Sequence, residues 1–447
     1  MDWIRRQRVV VLAAAYGLAT TVVLSGQLSR SFDFDESVSV MTTIRRGSAL
    51  VPLTENTVFN NHRVFAVVQS VWWSVGGDGE ARQRLFPILY GALAVAILVG
   101  WCARRFGLWP AAIAGFVLMA NPMFVGEARD LRGYSLATLA VVIAGVSLLE
   151  YVRDEDDERG SGSARLLVLH AFFIVAGLGT HLFAGVALGA LGIGSLLVLR
   201  RLDLRLLTSW VVAGVLTVAV YLPTIDDLRE TADARGTRYL PWFGRVTSWE
   251  VLGRDRLTAT VVGVVAMVGL LALLRRSVTD RGIGTAALVV AGLVIAQGAL
   301  FWQVLQPFDL YPRFFVASVP LIALAVAIGV RRLPVLGVAV VVAMLFTLGN
   351  VADERSSTSG IRDAAAVLTA AEQQGLQRCA VGGMPLKLYG GFADEIGADE
   401  PDRFVTCDVL VIVGSWGAPL VAPARDWFTY ETRVGGFRVF SVVPIEA

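Results

Sequence analysis

A cluster of carboxylates opens the first polar segment of the chain. Residues 32–37 read Phe-Asp-Phe-Asp-Glu-Ser, so Asp33, Asp35 and Glu36 lie within four positions directly after an apolar run. A carboxylate at membrane depth is costly and needs either a partner or a task. A helix that began near Ser37 would place its positive end beside these side chains. The cluster is either a candidate proton acceptor or an interfacial acidic group that terminates the apolar run.

Two further segments carry arginine beside aromatic residues. The segment Glu127-Ala-Arg-Asp-Leu-Arg132 supplies Arg129 and Arg132 and is followed by Tyr134, while Arg313 lies in Tyr-Pro-Arg-Phe-Phe. The planar guanidinium fork matches the oxygens of a phosphate group. These three arginines, with Tyr134, are therefore candidates to bind phosphate. The alternatives are an ion-pair network with nearby carboxylates for the first segment and an interfacial anchor for Arg313.

The histidines of the chain give no metal-binding pattern. His62 and His181 are predicted at the outer ends of apolar runs, whereas His170 falls inside one, and no His-x-x-His or Cys-x-x-Cys spacing occurs. A built-in metal site is therefore not predicted, and His170 is expected to pack between helices. His62 and His181 could contact an acceptor or a sugar, or could form hydrogen bonds at the interface.

The composition indicates which elements must position these side chains. Of 447 residues, 55% are hydrophobic and 17% are charged, with a mean hydropathy of +0.64. Soluble domains have about 45–50% apolar and about 25% charged residues. The values exclude a soluble enzyme and a disordered chain, and they indicate a polytopic membrane protein. The net charge of +2 implies no nucleic-acid partner.

Apolar runs that suit spanning helices of about 17–25 residues recur along the chain. The eleven runs are Val9–Leu28, Leu85–Cys102, Leu108–Phe124, Gly133–Tyr151, Arg165–Thr180, Leu182–Leu199, Leu206–Pro223, Leu257–Leu274, Ile283–Gln303, Phe314–Val330 and Val335–Gly349. The fifth and sixth runs nearly touch at His181 and predict a tight helical hairpin. Arg63–Gly76 is shorter and carries two tryptophans, which is typical of an amphipathic helix at the interface.

The arginines orient these runs in the membrane. With a cytoplasmic N-terminus, every arginine pair that flanks a helix end falls on the cytoplasmic side, as the positive-inside bias expects. The sequence therefore predicts an all-α, multi-pass domain over residues 1–350 in a bacterial plasma (inner) membrane. Its outer loop 29–84 carries the carboxylates, and the chain leaves the last span on the outer side.

Residues 351–447 predict a small α/β domain outside the cytoplasm. The patterns of an amphipathic helix, two short buried strands and a hairpin lie, in order, at Ile361–Gln377, Cys379–Gly382, Asp408–Val413, and Phe428–Val434 with Phe437–Val443. If the two buried strands are neighbours, Cys379 and Cys407 could form a disulfide in an oxidising compartment. Two buried free thiols are the alternative.

The order of these motifs resembles that of a known family. The motifs are Asp35-Glu36, Asn60-Asn-His62 before the interfacial helix, Gly77–Arg84, Arg132-Gly-Tyr-Ser-Leu136, and Arg313 to Pro320. From about Arg8 to Asn350 the chain resembles the GT-C superfamily of integral-membrane glycosyltransferases. It is most similar to the polyprenyl-phosphate-sugar group, which includes protein mannosyltransferases, aminoarabinose transferases and lipopolysaccharide-core glycosyltransferases.

The resemblance implies a glycosyltransferase whose active site faces away from the cytoplasm and whose sugar donor is a polyprenyl-phosphate sugar. It implies that Asp35 is the base that accepts the proton of the acceptor hydroxyl, with Glu36 beside it and Asp33 as a further candidate. Arginines would stabilise the departing phosphate, and a single base predicts inversion. The acceptor would be an envelope glycan, lipid or protein. Some relatives bind a divalent cation near the acidic motif, so a cation at these three carboxylates is left open.

Two other classes of function share part of this pattern. A transporter or flippase of lipid-linked sugars would have the same arginines and spans, but it does not explain carboxylates confined to one outer segment. Nor do the two halves of the chain show the symmetry of inverted-repeat transporters. A non-catalytic membrane protein of envelope assembly would keep its role without Asp35. Transfer of a labelled sugar from a polyprenyl-phosphate donor distinguishes these classes.

Overall fold

A computed structural model shows a mostly helical chain that divides into two compact units. The first comprises Met1–Gln27, Ser48–Trp72 and Arg84–Val351, and the second Leu28–Gly47, Trp73–Gln83 and Ala352–Ala447. The structure describes residues 2–26, 28–45, 48–55, 62–77, 79–154, 161–199, 202–226, 251–253, 255–273, 282, 312–353, 361–381, 386, 388, 393–395, 406–412, 424, 428–434 and 437–443.

Most of the described residues lie in helices, which we number in chain order. They are α1 (Asp2–Ser25), α2 (Phe34–Ser39), α3 (Val51–Thr54), α4 (Arg63–Gly76), α5 (Glu80–Gln83), α6 (Leu85–Phe106), α7 (Leu108–Ala120), α8 (Pro122–Ala128), α9 (Tyr134–Asp154), α10 (Ser161–Thr180), α11 (Ala184–Leu199), α12 (Leu204–Tyr221), α13 (Arg256–Leu273), α14 (Val319–Arg332), α15 (Val335–Asp353) and α16 (Ile361–Gln373). A π-helical turn at Val40–Ile44 follows α2, and 3₁₀ segments at Leu222–Thr224 and Pro312–Ser318 adjoin α12 and α14.

Several of these helices can cross a membrane. Within the described ranges, five helical stretches are long and apolar enough: Trp3–Ser25, Glu80–Phe106, Tyr134–Arg153, Leu204–Thr224 and Arg313–Arg332. Four other predicted runs form shorter apolar helices, namely α10, α11, α13 and α15. The run Ile283–Gln303 lies outside the described residues. The total of eleven spans and their orientation therefore stay predictions, while the membrane-protein class is supported.

The predicted span over Leu108–Phe124 is broken into two helices that pass the criterion for a span only together. The helix ends at Ala120, and α8 begins after a break and is bent by 60° from α7. The Oδ1 of Asn121 accepts the N–H of Phe124 at 3.0 Å, and its Nδ2 donates to the carbonyl of Val251 at 2.8 Å. Pro122 suits the first position of a helix because it has no N–H to donate. The arginine segment after α8 therefore starts from a short, turned helix.

His170 packs between helices, as predicted. Its Nδ1 donates to the carbonyl oxygen of Ala144 on α9 at 2.9 Å, and its Nε2 accepts from the indole N–H of Trp210 on α12 at 3.0 Å. Both ring nitrogens are used, so this buried side chain needs no ligand to satisfy it. It holds α10 against α9 and α12.

Two glycines bring α13 and α14 into backbone contact. A Cβ built on Gly269 would collide with the carbonyl oxygen of Ala325, and one on Gly329 would collide with that of Val265. Small residues let apolar helices approach this closely, and the resulting packing stabilises helix pairs in membranes. The crossing fixes α14, the helix that follows the 3₁₀ segment of Arg313.

The described part of the C-terminal region contains a five-stranded sheet. Its strands are β1 (Arg378–Val381), β2 (Asp394–Glu395), β3 (Val409–Ile412), β4 (Tyr430–Val434) and β5 (Phe437–Ser441), in the order β2-β1-β3-β5-β4. β1 is parallel to β2 and β3, and β5 is antiparallel to β3 and β4. The predicted buried strands and hairpin are therefore confirmed.

The two faces of this sheet bury separate apolar layers. Val409 and Val411 lie in the layer that contains α16, whereas Leu410 lies in the opposite layer. This alternation follows from the two-residue period of a strand. Because β1 and β3 are neighbours, Cys379 and Cys407 approach each other, and the structure joins them in a disulfide with a Cα–Cα distance of 5.7 Å. The disulfide, and not the pair of free thiols, is the form observed.

Adding one methyl group at the helix crossing should destabilise the protein. Gly269→Ala and Gly329→Ala each force a methyl against backbone atoms that have little room to move. Overpacking of this kind costs about 1–3 kcal/mol, so the thermal unfolding midpoint of the detergent-purified protein should fall. Gly214→Ala on α12 is the control, since its Cβ would meet nothing within 4 Å. A fall of similar size in all three variants would contradict the close crossing.

Candidate functional site

The acidic segment is organised by a capping box. Asp33 is the N-cap of α2, where its Oδ1 accepts the N–H of Glu36 at 2.8 Å and the Oε2 of Glu36 accepts the N–H of Asp33 at 2.9 Å. The guanidinium of Arg30 lies 3.7 Å from Glu36 and 3.9 Å from Asp33. The helix begins at Phe34, three residues before Ser37, and Asp35 and Glu36 lie in its first turn. Two of the three carboxylates have a structural task.

Asp35 takes no part in this capping box. It lies in the first turn of α2 and is half-buried, whereas the side chain of Glu36 is fully buried. The cap geometry therefore explains the positions of Asp33 and Glu36 but not the carboxylate between them. A partly exposed carboxylate can exchange a proton with a molecule that reaches it from solvent, which the fully buried one cannot do.

The described residues show no cluster built for a metal ion. Within these ranges, no group of three or more His, Cys, Asp or Glu side chains is placed to hold one. At the segment where a divalent cation was left open, Asp33 and Glu36 each accept a backbone hydrogen bond. Those bonds occupy part of the oxygen lone pairs that a cation would need.

A second set of predicted residues comes together in the first unit. The rings of His62 and Tyr134 lie 5.1 Å apart, those of His62 and His181 5.2 Å, and those of Tyr134 and His181 5.1 Å. The guanidinium of Arg132 lies 5.9 Å from the centre of the Tyr134 ring. With Arg313, whose charge acts on both histidines, these side chains form what we call the histidine–arginine cluster.

Each member of the histidine–arginine cluster lies at the end of a helix. His62 directly precedes α4, and its carbonyl accepts the N–H of Ala66 at 2.8 Å. Tyr134 is the first residue of α9, Arg313 lies in the 3₁₀ segment before α14, and His181 lies in the turn between α10 and α11. The tight connection predicted at His181 is confirmed, since α10 ends at Thr180 and α11 begins at Ala184. Four separate stretches of chain therefore supply one group of polar side chains.

Two phenylalanines that the sequence did not single out complete the surroundings of His181. The rings of Phe183 and Phe314 are stacked with centroids 5.0 Å apart, and they lie 5.8 Å and 5.4 Å from the ring of His181. Phe314 directly follows Arg313, so the sequence could have identified it as a neighbour of the site. For Phe183, the only such indication in the sequence is that it lies two residues after His181.

Gly133 makes room for the closest contact in the cluster. A Cβ at this position would lie 2.8 Å from Nδ1 of His62 and 2.5 Å from Cγ2 of Thr180. Such distances are shorter than van der Waals contact, so a side chain here would push the two residues apart. The glycine between Arg132 and Tyr134 is therefore required by close packing.

Hydrogen bonds fix which nitrogen carries the proton in each histidine of the cluster. His62 Nδ1 lies 3.0 Å from the carbonyl oxygen of Thr180, which can only accept, so this nitrogen bears the hydrogen. Nδ1 of His181 accepts the backbone N–H of Phe183 at 3.2 Å, so in the neutral ring the hydrogen is on Nε2. The two neutral rings are opposite tautomers.

The surroundings keep both histidines neutral. Burial, followed by the charges of Arg132 and Arg313, lowers the pKa of His181 to about 3. Burial, followed by the charges of Arg132 and of His181, holds the pKa of His62 well below its usual value, and Arg313 adds to the effect. Arg129, which is buried at the C-terminal end of α8, is not among these charges. Arg132 and Arg313 are thus the arginines that share one environment.

The arrangement suits an anion with several oxygens. Two half-buried guanidinium groups supply positive charge and directed N–H donors, and the rings of His62, Tyr134 and His181 in the same cluster are buried. Electrostatic attraction is stronger in such a low-dielectric site than in water. A phosphate group offers oxygens in several directions and matches this set of donors.

Comparisons with known proteins identify the fold. No family model and no curated protein matches the chain. Among solved structures, ArnT from Cupriavidus metallidurans in the apo state matches with a TM-score of 0.65 and 14% identity, over 97% of this chain and 98% of that one. The same protein bound to undecaprenyl phosphate matches with a TM-score of 0.63, again at 14% identity over 97% and 98%.

A second type of solved structure has the same architecture. The oligosaccharyltransferase AglB from Archaeoglobus fulgidus, in complex with an inhibitory peptide and a dolichol-phosphate, has a TM-score of 0.54 at 11% identity, over 95% of this chain and 74% of that one. These matches confirm the predicted GT-C-like fold with its small C-terminal sheet. At such identities they show the fold alone, so the function must be argued from the residues.

The neutral histidines should make the folded protein sensitive to acid. Between the usual histidine pKa near 6.5 and the lowered folded-state value, the unfolded chain binds protons that the folded chain does not. Stability therefore falls as the pH drops, and for His181 the loss is about 2 kcal/mol at pH 5. Thermal midpoints in detergent from pH 7.5 to pH 5 measure this. His181→Gln should reduce the fall by about that amount, and an unchanged pH dependence would contradict a buried, neutral His181.

Proposed function

We propose that the chain is a glycosyltransferase that moves a sugar from a polyprenyl-phosphate donor to a hydroxyl group of an envelope acceptor. The observation that carries the proposal is the histidine–arginine cluster, in which the rings of His62, Tyr134 and His181 meet beside Arg132 and the residue after Arg313 contacts His181. The fold neighbours support it, because ArnT was solved with undecaprenyl phosphate and AglB with a dolichol-phosphate. The acceptor is a glycan, a lipid or a protein.

In this proposal the arginines bind the phosphate of the donor. Arg132 comes from the turn after α8 and Arg313 from the 3₁₀ segment before α14. As the bond from the anomeric carbon to the phosphate oxygen breaks, negative charge grows on that oxygen. Donors already in place stabilise this charge without reorganisation. Arg129 and Tyr134 are proposed to support Arg132, which lies against the Tyr134 ring.

Asp35 is the proposed general base. It accepts the proton of the acceptor hydroxyl while that oxygen forms a bond to the anomeric carbon and the electron pair of the breaking bond passes to the phosphate. The products are the glycosylated acceptor and the polyprenyl phosphate. A single displacement of this kind inverts the anomeric centre. The order of the motifs supports the choice of Asp35, and the capping box accounts for the positions of Asp33 and Glu36.

The proposed location follows from the arginine distribution. The N-terminus is cytoplasmic, and the reaction takes place on the outer side of a bacterial plasma membrane, where polyprenyl-phosphate sugars and envelope acceptors meet. The disulfide between Cys379 and Cys407 supports an outward C-terminal domain, because disulfides persist in oxidising compartments.

Three amide substitutions test the base. Asp33→Asn and Glu36→Gln keep an oxygen that accepts the capping hydrogen bonds, so the start of α2 should survive both changes. Asp35→Asn removes a proton acceptor without changing shape. General-base catalysis contributes roughly 10²–10⁴-fold in rate, so only Asp35→Asn should lose about that factor. The measurement is transfer of labelled sugar per folded, detergent-purified molecule.

The same assay can contradict the assignment. An inactive Asp33→Asn with an active Asp35→Asn would move the base two residues upstream. Full turnover in all three variants would remove this segment from catalysis. If the wild type moved labelled lipid-linked sugar across vesicles without transferring it to any acceptor, the chain would be a flippase.

Lysine substitutions test the phosphate site. Arg132→Lys and Arg313→Lys keep the positive charge but remove the planar fork. A charge-assisted hydrogen bond contributes about 1.5–3 kcal/mol, so each change should weaken binding of a polyprenyl phosphate by roughly ten- to a hundredfold. Arg331→Lys, an exposed residue at the end of α14, is the matched control. Unchanged affinity in both site variants would refute the assignment.

A further inference from the structure

We propose that His181 binds an oxygen of the donor phosphate as a neutral hydrogen-bond donor, and that His62 and Gly133 fix its orientation. The inference rests on the proposed function, since it assumes that Arg132 and Arg313 hold that phosphate. It assigns to the two histidines different tasks: one contacts the ligand, and the other positions the first.

One nitrogen of His181 is a buried donor that has no hydrogen-bond acceptor among the described residues. Its side chain is only 2% exposed, and its Nδ1 is occupied by the N–H of Phe183. The Nε2 atom is buried and has no hydrogen-bond partner among the described residues, and the same holds for Oγ1 of the adjacent Thr180. Buried polar atoms are nearly always hydrogen-bonded in native proteins. A bound molecule with an acceptor oxygen would satisfy this N–H.

The charges around His181 indicate an anionic acceptor. Arg132 and Arg313 both lie close enough to disfavour a positive charge on the ring. A third cation in this place would repel both guanidinium groups. A neutral ring avoids that repulsion and still adds one directed N–H to the two forks. The three donors can then share the oxygens of one phosphate.

The position of His181 depends on the residue before it. The Nδ1–H of His62 donates to the carbonyl oxygen of Thr180 at 3.0 Å, which fixes the peptide group that leads into His181. Gly133 leaves the space that this bond needs. His62 and Gly133 are therefore positioning residues, and their effect on the phosphate is transmitted through Thr180.

Binding of undecaprenyl phosphate to the full-length, detergent-purified protein tests the inference without turnover. His181→Phe keeps the aromatic contacts but removes the donor, and it should weaken the affinity roughly tenfold or more. His181→Gln returns an N–H donor near the position of Nε2 and should recover much of the loss. Equal affinity of wild type and His181→Phe, or a glutamine variant as weak as the phenylalanine variant, would overturn the proposal.

The pH dependence separates a neutral donor from a cation. The groups that face His181 are Arg132, Arg313, His62 and Tyr134, and the lipid phosphate itself titrates. The phosphate contributes equally to both proteins, so the ratio of the Kd of His181→Gln to that of the wild type should stay constant from pH 8 to pH 5.5. A ratio that grows as the pH falls would show a protonated His181 and contradict the assignment.

Positioning is tested at Gly133. Gly133→Ala should weaken binding of undecaprenyl phosphate about as much as His181→Phe, because the methyl displaces His62 and Thr180. Gly189→Ala on α11, where a Cβ meets nothing within 4 Å, should bind normally. Normal binding by Gly133→Ala would overturn the positioning role.

The failure of the proposed function has a different signature. If the wild type binds undecaprenyl phosphate no better than the uncharged alcohol undecaprenol, or if Arg132→Ala binds it as well as the wild type, the phosphate site itself is wrong. If the arginine variants lose affinity and His181→Phe does not, only the role of His181 is wrong.

Discussion

The hydrogen bond from His62 to the carbonyl of Thr180 is the contact on which the proposed site depends. It joins the start of α4 to the turn between α10 and α11, and a Cβ at residue 133 would lie 2.8 Å from the Nδ1 of His62 that donates it. The bond determines the tautomer of His62 and places the peptide before His181. It therefore couples three stretches of the chain, and Gly133 leaves the space for it.

Burial then gives the site its electrostatic character. The neutral rings of His62, Tyr134 and His181 are buried, and the guanidinium of Arg132 lies 5.9 Å from the centre of the Tyr134 ring. Histidine suits a position beside two arginines better than lysine does, because it can donate a hydrogen bond while uncharged. The acidic segment is organised separately, by backbone hydrogen bonds at the start of α2.

The residues of the site could be named from the sequence because polar side chains are rare in so apolar a chain. His62, Arg132 and Arg313 stand out at the ends of apolar runs, and His170 stands out inside one. The capping box was also readable, since Asp33 and Glu36 have its spacing of three residues. The break between α7 and α8 at Asn121 could not be predicted from the sequence. The apolar run continues through it, and the hydrogen bond from Asn121 to Val251 joins distant parts of the chain. The tautomers of His62 and His181 likewise depend on partners that only the folded chain provides.

The glycine crossing of α13 and α14 has a mechanical consequence for the arginine pair. A stiff helix held at one point moves each residue in proportion to its distance from that point. Arg313 lies about 25 Å from Gly329, at about 1.5 Å per residue along the α-helix and about 2.0 Å along the 3₁₀ segment. A tilt of about 5° at the crossing would therefore displace the start of that segment by about 2 Å, most of the length of a hydrogen bond. The angle of the glycine crossing therefore sets where Arg313 lies relative to Arg132.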